Sequence, residues 1–250
     1  MTVALQTHHL VRRFGGLVAT NDVSLTLHKG ARHALIGPNG AGKTTLINLL
    51  TGVLTPTSGR IELEGVDITK TSRAKRVEMG LVRTFQINQL FPNFTPLQSV
   101  CLAASRRLGM DRNIWRGIGS DKRVLESAVD VLERFDLIDV MTDKVGSLPY
   151  GKQRLLEIAV AIACGPRVLL LDEPAAGVPE GERGEIMEGL AALPADVTVL
   201  LIEHDMDLVF RFANRISVLV QGGLLLEGSS EDVANDPRVR EVYLGEEAHG

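Results

Sequence analysis

Residues 31–53 read ARHALIGPNGAGKTTLINLLTGV, and this stretch decides the fold. Ala34, Leu35 and Ile36 form an unbroken apolar run, the pattern of a strand covered on both faces, and LINLLTGV from Leu46 onward reads as an apolar helix. Between them Gly37, Pro38, Asn39, Gly40, Ala41, Gly42, Lys43 and Thr44 match GxxxxGK[ST] in full. The pattern is informative when it joins a strand to a helix, as it does here. Glycines at 37, 40 and 42 let the backbone approach an anion and turn its N–H groups inward, and the positive end of the helix dipole adds to the attraction. In such a loop Lys43 reaches the β- and γ-phosphates of a nucleotide, the Thr44 hydroxyl is a ligand for Mg2+, and Thr45 donates to a phosphate oxygen. A turn that only links strand to helix needs neither Lys43 nor Thr44.

Outward from this loop the chain alternates strands with helices, the order of an α/β fold. Ahead of it, Val3 and Leu5, then Val23, Leu25 and Leu27, recur at the two-residue period of half-buried antiparallel strands. After it, GRIELEG, GLVRTF, RVLLLDEP, VTVLLIEHD and RISVLV read as strands, and the third and fourth are apolar enough for the interior of a parallel sheet. QGGLLLEG supplies a Gly-Gly turn for a terminal hairpin, and Ser229, Ser230 and Glu231 open a last short helix. From Gln86 to about Ser147 the character changes. Val124, Leu125, Ala128, Val131, Leu132 and Phe135 recur at helical spacing and strand signals fade, which predicts a helical subdomain.

Composition narrows the class. The 250 residues are enough for one large domain with a substantial core, and the net charge of −4 gives no broad basic surface for nucleic acid. Cys101 and Cys164 lack metal-ligand spacing and are too few for a disulfide framework, so they read as buried thiols in a reducing compartment. The first residues hold no long apolar core behind a basic start, and nowhere do about 18 apolar residues run together, so neither export nor membrane spanning is indicated. A cytosolic protein is expected.

Two carboxylates close the strand of RVLLLDE, and ligands of open α/β sheets bind beyond the carboxyl ends of such strands. Asp172 is placed to hold Mg2+ through its water shell, and Glu173, one step further, to polarise an attacking water. LLIEHD ends in His204, a candidate hydrogen-bond partner for the γ-phosphate or that water, whereas His8, His9, His28, His33 and His249 read as structural. Gln86 closes a third strand, where its amide oxygen can complete the Mg2+ shell. LPYGKQ, residues 148–153, stands at the mouth of an apolar helix, with Pro149 fixing the approach and the helix N-terminus able to take an anion near Gly151.

Taken in this order, these motifs resemble the ATP-binding subunit of an ABC transporter over nearly the whole chain: the phosphate loop at Gly37 to Thr45, the Q-loop at Gln86, the signature at Leu148 to Gln153, Asp172 and Glu173, and the switch His204. The resemblance implies a P-loop NTPase core with a mixed, mainly parallel sheet, an N-terminal antiparallel β subdomain and an inserted helical subdomain. In those terms residues 1–86 and 148–250 make the core and its β subdomain, and about 87–147 the helical part. It also implies that Phe14 stacks on adenine, that Gly151 and Gln153 belong to a lid over the ATP held by a second ATPase subunit, identical or paralogous, and that Phe91, Phe94, Leu97 and Trp115 either meet a membrane subunit or pack internally.

Within the family, RRFGGLVATNDVSL, RTFQINQLFPNFT, GKQRLLEIA, EPAAGVP and EVYLGEE are similar to branched-chain amino-acid importer ATPases. That likeness implies a Mg2+-dependent ATP hydrolase on the cytoplasmic face of a bacterial inner membrane, with two integral-membrane permeases and, indirectly, a periplasmic solute-binding protein as partners. Related subunits for urea or short amides share much of the pattern, and a nucleotide-gated regulator of low turnover is the reading from another class. Soluble ABC ATPases of DNA repair or translation usually carry two cassettes or a long coiled-coil insertion, and this chain has neither. It departs from the family at Pro149 and Tyr150, where LSGGQ has Ser and Gly, and at Pro179, where the D-loop generally has Asp. Without the Ser hydroxyl, the lid is left with backbone donors around Gly151.

Overall fold

The computed structural model describes residues 2–84, 90–109 and 121–247. In chain order the elements are β1 (Val3–Phe14), β2 (Leu17–Val23), β3 (Thr26–His28), β4 (Arg32–Ile36), α1 (Lys43–Leu50), β5 (Ser58–Leu63), β6 (Val66–Asp67), α2 (Arg73–Glu78) and β7 (Leu81–Arg83). They continue with α3 (Pro96–Arg107), α4 (Lys122–Arg134), α5 (Tyr150–Ala163), β8 (Val168–Asp172), α6 (Arg183–Ala191), β9 (Thr198–Ile202), α7 (Met206–Phe212), β10 (Arg215–Val220), β11 (Gly223–Gly228), α8 (Ser230–Asn235) and α9 (Pro237–Glu247). Two compact units result, one of residues 1–81, 167–173 and 195–250, the other of 82–166 and 174–194.

The first unit holds two sheets. The larger runs β11-β10-β4-β9-β8-β7, with β10, β4, β9 and β8 parallel and β11 antiparallel to β10. All five residues of β8 and all five of β9 are buried, which is why both read as continuous apolar runs. Along β4 the two-residue period sorts side chains into two cores: Leu35 joins Leu46, Leu49 and Leu50 of α1, while Ala34 and Ile36 join Val209 of α7 with Ile216 and Val218 of β10. The smaller sheet, β2-β1-β5-β6 with β3 also on β1, is antiparallel; Leu5, Val23, Leu25 and Leu27 are buried as their period predicts, whereas Val3 is half-buried beside a buried Ala4.

Helix α1 ends on a buried arginine. Arg76 of α2, 1 % exposed, donates to the carbonyls of Leu49 (2.7 Å), Leu50 (2.5 Å), Thr69 and Thr71 (both 3.1 Å). The last carbonyls of a helix lack intrahelical partners, and a cation there also complements the negative end of the dipole. The hairpin at Gly222 and Gly223 joins β10 to β11 as the sequence predicts, and Ser229 caps α8 in a capping box with Asp232.

The second unit is helical. Thr95 and Gln98 form a capping box at the start of α3, with Pro96 in the first turn, and the Asp121 side chain caps α4. Val124, Ala128, Val131, Leu132 and Phe135 are buried as their spacing predicts. Leu125 is exposed instead, lying about 100° round the helix from Val124, just past the margin of the buried stripe. Helix α5 packs on α3, α4 and α6, so this unit extends beyond residues 87–147 to take in α5 and α6. Phe91 is exposed and its ring lies 4.9 Å from that of the half-buried Phe94, Leu97 is half-buried, and Trp115 lies outside the described residues. Cys101 is buried and Cys164 only half-buried, and burial raises both thiols above their ordinary pKa.

Candidate functional site

The site of the first unit is set by strand register. Asp172 of β8 is level with Ile202 of β9, and Ile202 is level with Leu35 of β4, so three strands end together. Beyond those ends come Gly37 to Thr45, then Glu173, then Glu203 and His204. The sequence-predicted residues among them, all but Glu203 and scattered over some 170 positions, are thereby gathered at one edge of the sheet, where open α/β sheets bind ligands.

The loop cannot carry side chains at two of its glycines. A Cβ on Gly37 would stand 2.1 Å from the Leu219 carbonyl oxygen, and one on Gly42, at φ +101°, would stand 2.5 Å from the Ala19 carbonyl oxygen. The backbone is pinned by Ala41 N–H donating to Pro38 O (3.1 Å) and Gly222 N–H donating to Ala41 O (2.9 Å). Gly42 is the N-cap of α1 and offers no side chain to it, and no acidic residue occupies the first turn, so neither offsets the positive end of the helix. Lys43 donates to the carbonyls of Gly37 (2.5 Å) and Pro38 (3.1 Å). Thr44 is exposed and Thr45 half-buried. A cradle of backbone N–H groups, a lysine and two hydroxyls fits a polyphosphate and its Mg2+, which binds through phosphates plus one or two protein oxygens.

At the ends of the neighbouring strands, Asp172 is buried and Glu173 partly exposed. Glu173 has a left-handed backbone, φ +48°, and its N–H donates to Ile202 O (2.8 Å), which turns the chain sharply at the strand end. His204 is 65 % exposed, with Nδ1 3.9 Å from Glu173 Oε1 and 3.7 Å from Glu203 Oε2. Sequence reading passed over Glu203, which is 1 % exposed and accepts from the N–H groups of His204 (3.0 Å) and Asp205 (3.4 Å). It therefore shapes the turn that presents His204; its place at the end of the same apolar run was the available signal.

Phe14 closes β1 with 43 % of its surface exposed, and the Arg12 guanidinium lies 4.6 Å above its ring. Arg12 itself is anchored on Thr55 O at 2.8 Å. The aromatic is held as a platform, by a partner that sequence reading did not name. Gln86 lies outside the described residues.

In the second unit, Pro149 is the N-cap of α5 and supplies no capping side chain. Gly151 is buried and its N–H donates to Glu182 Oε2 at 2.7 Å. Gln153 Nε2 donates to Leu148 O (2.9 Å), fastening the entrance of the helix to its first turn. Tyr150 Oη donates to Ala176 O (3.4 Å). Glu182 carries no local signal for this role, since its partner is 31 residues away.

A family model described as ABC transporter matches residues 20–176, and one described as branched-chain amino acid ATP-binding cassette transporter matches residues 224–249. The chain is 40 % identical to the high-affinity branched-chain amino acid transport ATP-binding protein BraF of Pseudomonas aeruginosa, over 97 % of this chain and 98 % of that one. It is 39 % identical to LivG of Escherichia coli, with the same coverage, and 34 % identical to the probable LivG of Methanocaldococcus jannaschii, over 97 % of each. Among solved structures it is similar to the ADP conformation of an ABC transporter ATP-binding cassette, with a TM-score of 0.85 and 32 % identity over 98 % of this chain and 100 % of that one. A nucleotide-free cassette gives a TM-score of 0.83 and 32 % identity over 96 % and 98 %.

Proposed function

We propose that this chain, which belongs to the ABC transporter ATPase family, hydrolyses ATP as the motor subunit of an importer of branched-chain amino acids. The observation that supports this reading is the common level of three strand ends, since the loop of Gly37 to Thr45 and Asp172, Glu173 and His204 all follow from that one sheet edge. The cargo rests on the relatives' names and on the match at residues 224–249.

In this reading residues 1–250 form one ABC ATPase domain. Phe14 stacks on the adenine, and the N–H groups from Gly37 through Gly42 with Lys43, Thr44 and Thr45 hold the phosphates. Thr44, Gln86 and Asp172 would hold Mg2+, which would neutralise phosphate charge when bound. Glu173 takes the proton from the attacking water as the water oxygen bonds to the γ-phosphorus and the bond from that phosphorus to the β,γ-bridging oxygen breaks, leaving ADP and phosphate, and His204 donates to the γ-phosphate. Gly151 and Gln153 serve the ATP bound by a second ATPase subunit. Because ATP then binds the closed pair better than the open one, binding drives closure, and hydrolysis with phosphate release resets it.

Among the described residues no helix is long and apolar enough to cross a membrane. In this reading, which follows the relatives' transport role and not that absence, the chain acts from the cytoplasmic face of the membrane, through two permease subunits that receive solute from a periplasmic binding protein.

The purified chain should bind ATP with Mg2+ and hydrolyse it, and Glu173→Gln should abolish turnover while leaving binding intact; hydrolysis that survives Glu173→Gln would defeat the catalytic assignment. With the permeases and binding protein reconstituted, leucine, isoleucine or valine should accelerate hydrolysis. Acceleration by urea or a short amide instead would move the cargo to that class.

A further inference from the structure

The mouth of α5 is already occupied by an anion of the same chain. Glu182 Oε2 accepts from Gly151 N–H at 2.7 Å, and a Cβ on Gly151 would stand 2.6 Å from that same oxygen, so the carboxylate is seated on the bare backbone of the first turn. The seat is built from positions where this chain departs from the wider family. Pro179 caps the short 3-10 turn Glu180–Glu182, and its φ of −54° is the value the ring imposes, so the turn is preset. Tyr150, standing where the signature has its first Gly, anchors the other end of the segment through Ala176 O, its hydroxyl 3.4 Å from where a Gly177 Cβ would be. Segment 176–182 is thus fastened to α5 at two points, one neutral and one charged.

We infer that Glu182 is a positioning residue for closure of the two-chain ATP site: it holds the Gly151 N–H in the open chain, and the phosphates bound by a second copy obtain that donor only by displacing it. This rests on the reading that Gly151 faces ATP held by another copy. Two anions cannot share one N–H at hydrogen-bond distance without strong repulsion, and α5 has no capping side chain of its own to offer in exchange. Closure of a symmetric pair would therefore release two Glu182 carboxylates for two bound ATP molecules. The Tyr150 contact carries no charge and can stay, keeping the segment beside the helix.

The test compares the full chain with Glu182→Gln, which keeps an acceptor oxygen for Gly151 N–H and removes the charge, and with Glu182→Ala, which removes both. Each is titrated with Mg2+ and the non-hydrolysable β,γ-imido analogue of ATP, and dimerisation is followed by sedimentation. Analogue affinity of the dilute chain should be the same in all three. Both variants should reach half-dimer at about two- to five-fold lower analogue concentration, the factor expected for one carboxylate at a helix N-terminus. A residue that only braced α5 would give the opposite shift, larger in Glu182→Ala and rescued by Glu182→Gln, and that result would overturn the inference, as would no shift in Glu182→Gln. A wild-type chain that binds the analogue yet stays monomeric at every concentration would instead remove the two-copy reading itself, and this inference with it.

Discussion

Glu173 and His204 stand at the ends of neighbouring parallel strands with Oε1 and Nδ1 3.9 Å apart, close enough to act on one ligand and too far to hydrogen-bond each other. Each is fixed by backbone: Glu173 N–H is tied to Ile202 O, and His204 N–H to the buried Glu203 carboxylate. Both carboxylate and imidazole thus stand at the same strand-end edge, each on a backbone held in place. Removing the imidazole should therefore reduce the rate of the chemical step without touching the phosphate loop. His204→Ala is expected to lower kcat by roughly 100-fold or more, with ATP affinity of the dilute chain unchanged. Steady-state turnover and equilibrium binding, measured on the same preparation, check this; a loss confined to affinity would assign His204 to binding alone.

Gly42 combines a left-handed backbone with a close approach, since a Cβ there would stand 2.5 Å from Ala19 O at φ +101°. Because the obstacle is a backbone carbonyl, it cannot swing aside as a side-chain tip could. Gly42→Ala must push the loop and α1 away from the turn holding Ala19, at a cost of about 1–3 kcal/mol. ATP affinity should fall roughly 10-fold or more, with a lowered melting temperature. Calorimetry with and without Mg2+-ATP separates the two effects.

Arg76 supplies donors to four carbonyl oxygens in a place where water has no access. Arg76→Met fills much of the same space but removes a donor from each of those carbonyls, Leu49 O keeping a backbone donor in Gly52 N–H, so stability should drop by about 2–4 kcal/mol, read as a shift in the denaturation midpoint. Arg76→Lys should recover only part of this, because a single ammonium has three donors and lacks the planar fork. An unchanged midpoint in Arg76→Met would mean that the carbonyls find other partners.

The parts legible in the sequence were those coded locally. The strand-loop-helix at 31–53, the apolar runs of β8 and β9, the Gly222-Gly223 turn and the buried stripe of α4 each follow from spacing or backbone chemistry within one segment. Site residues at strand ends could be listed for the same reason, since a buried strand must stop where its polar residues begin. Arg76 beneath α1 and Glu182 on Gly151 could not be read this way. An exposed-looking Arg or Glu in the sequence carries no mark of a partner 27 or 31 residues away. The expected anion site at Gly151 was legible as bare backbone; what sits on it was not.

The last expectation concerns pH and a buried histidine. His33 is 1 % exposed, its Nε2 is 2.8 Å from Ser217 Oγ, and that hydroxyl donates to Glu227 Oε2 at 2.9 Å. Since the Ser217 proton is committed to the carboxylate, Nε2 must carry the hydrogen, which fixes one neutral tautomer. Burial holds the His33 pKa down at about 4, with Glu227 opposing and Arg215 and His28 assisting. The folded-state value is thus below the ordinary 6.5 of an unfolded chain. Above 6.5 neither state is protonated and the residue adds no pH dependence. As pH falls from 6.5 toward 4 the unfolded chain takes up a proton that the folded chain refuses, so stability is lost through that window, at up to about 1.4 kcal/mol per pH unit. Denaturant unfolding at pH 7.5, 6 and 5 should show a steeper loss in the wild type than in His33→Gln, which keeps a donor for Ser217 and cannot titrate. Parallel pH profiles for the two proteins would show that His33 is not the group responsible.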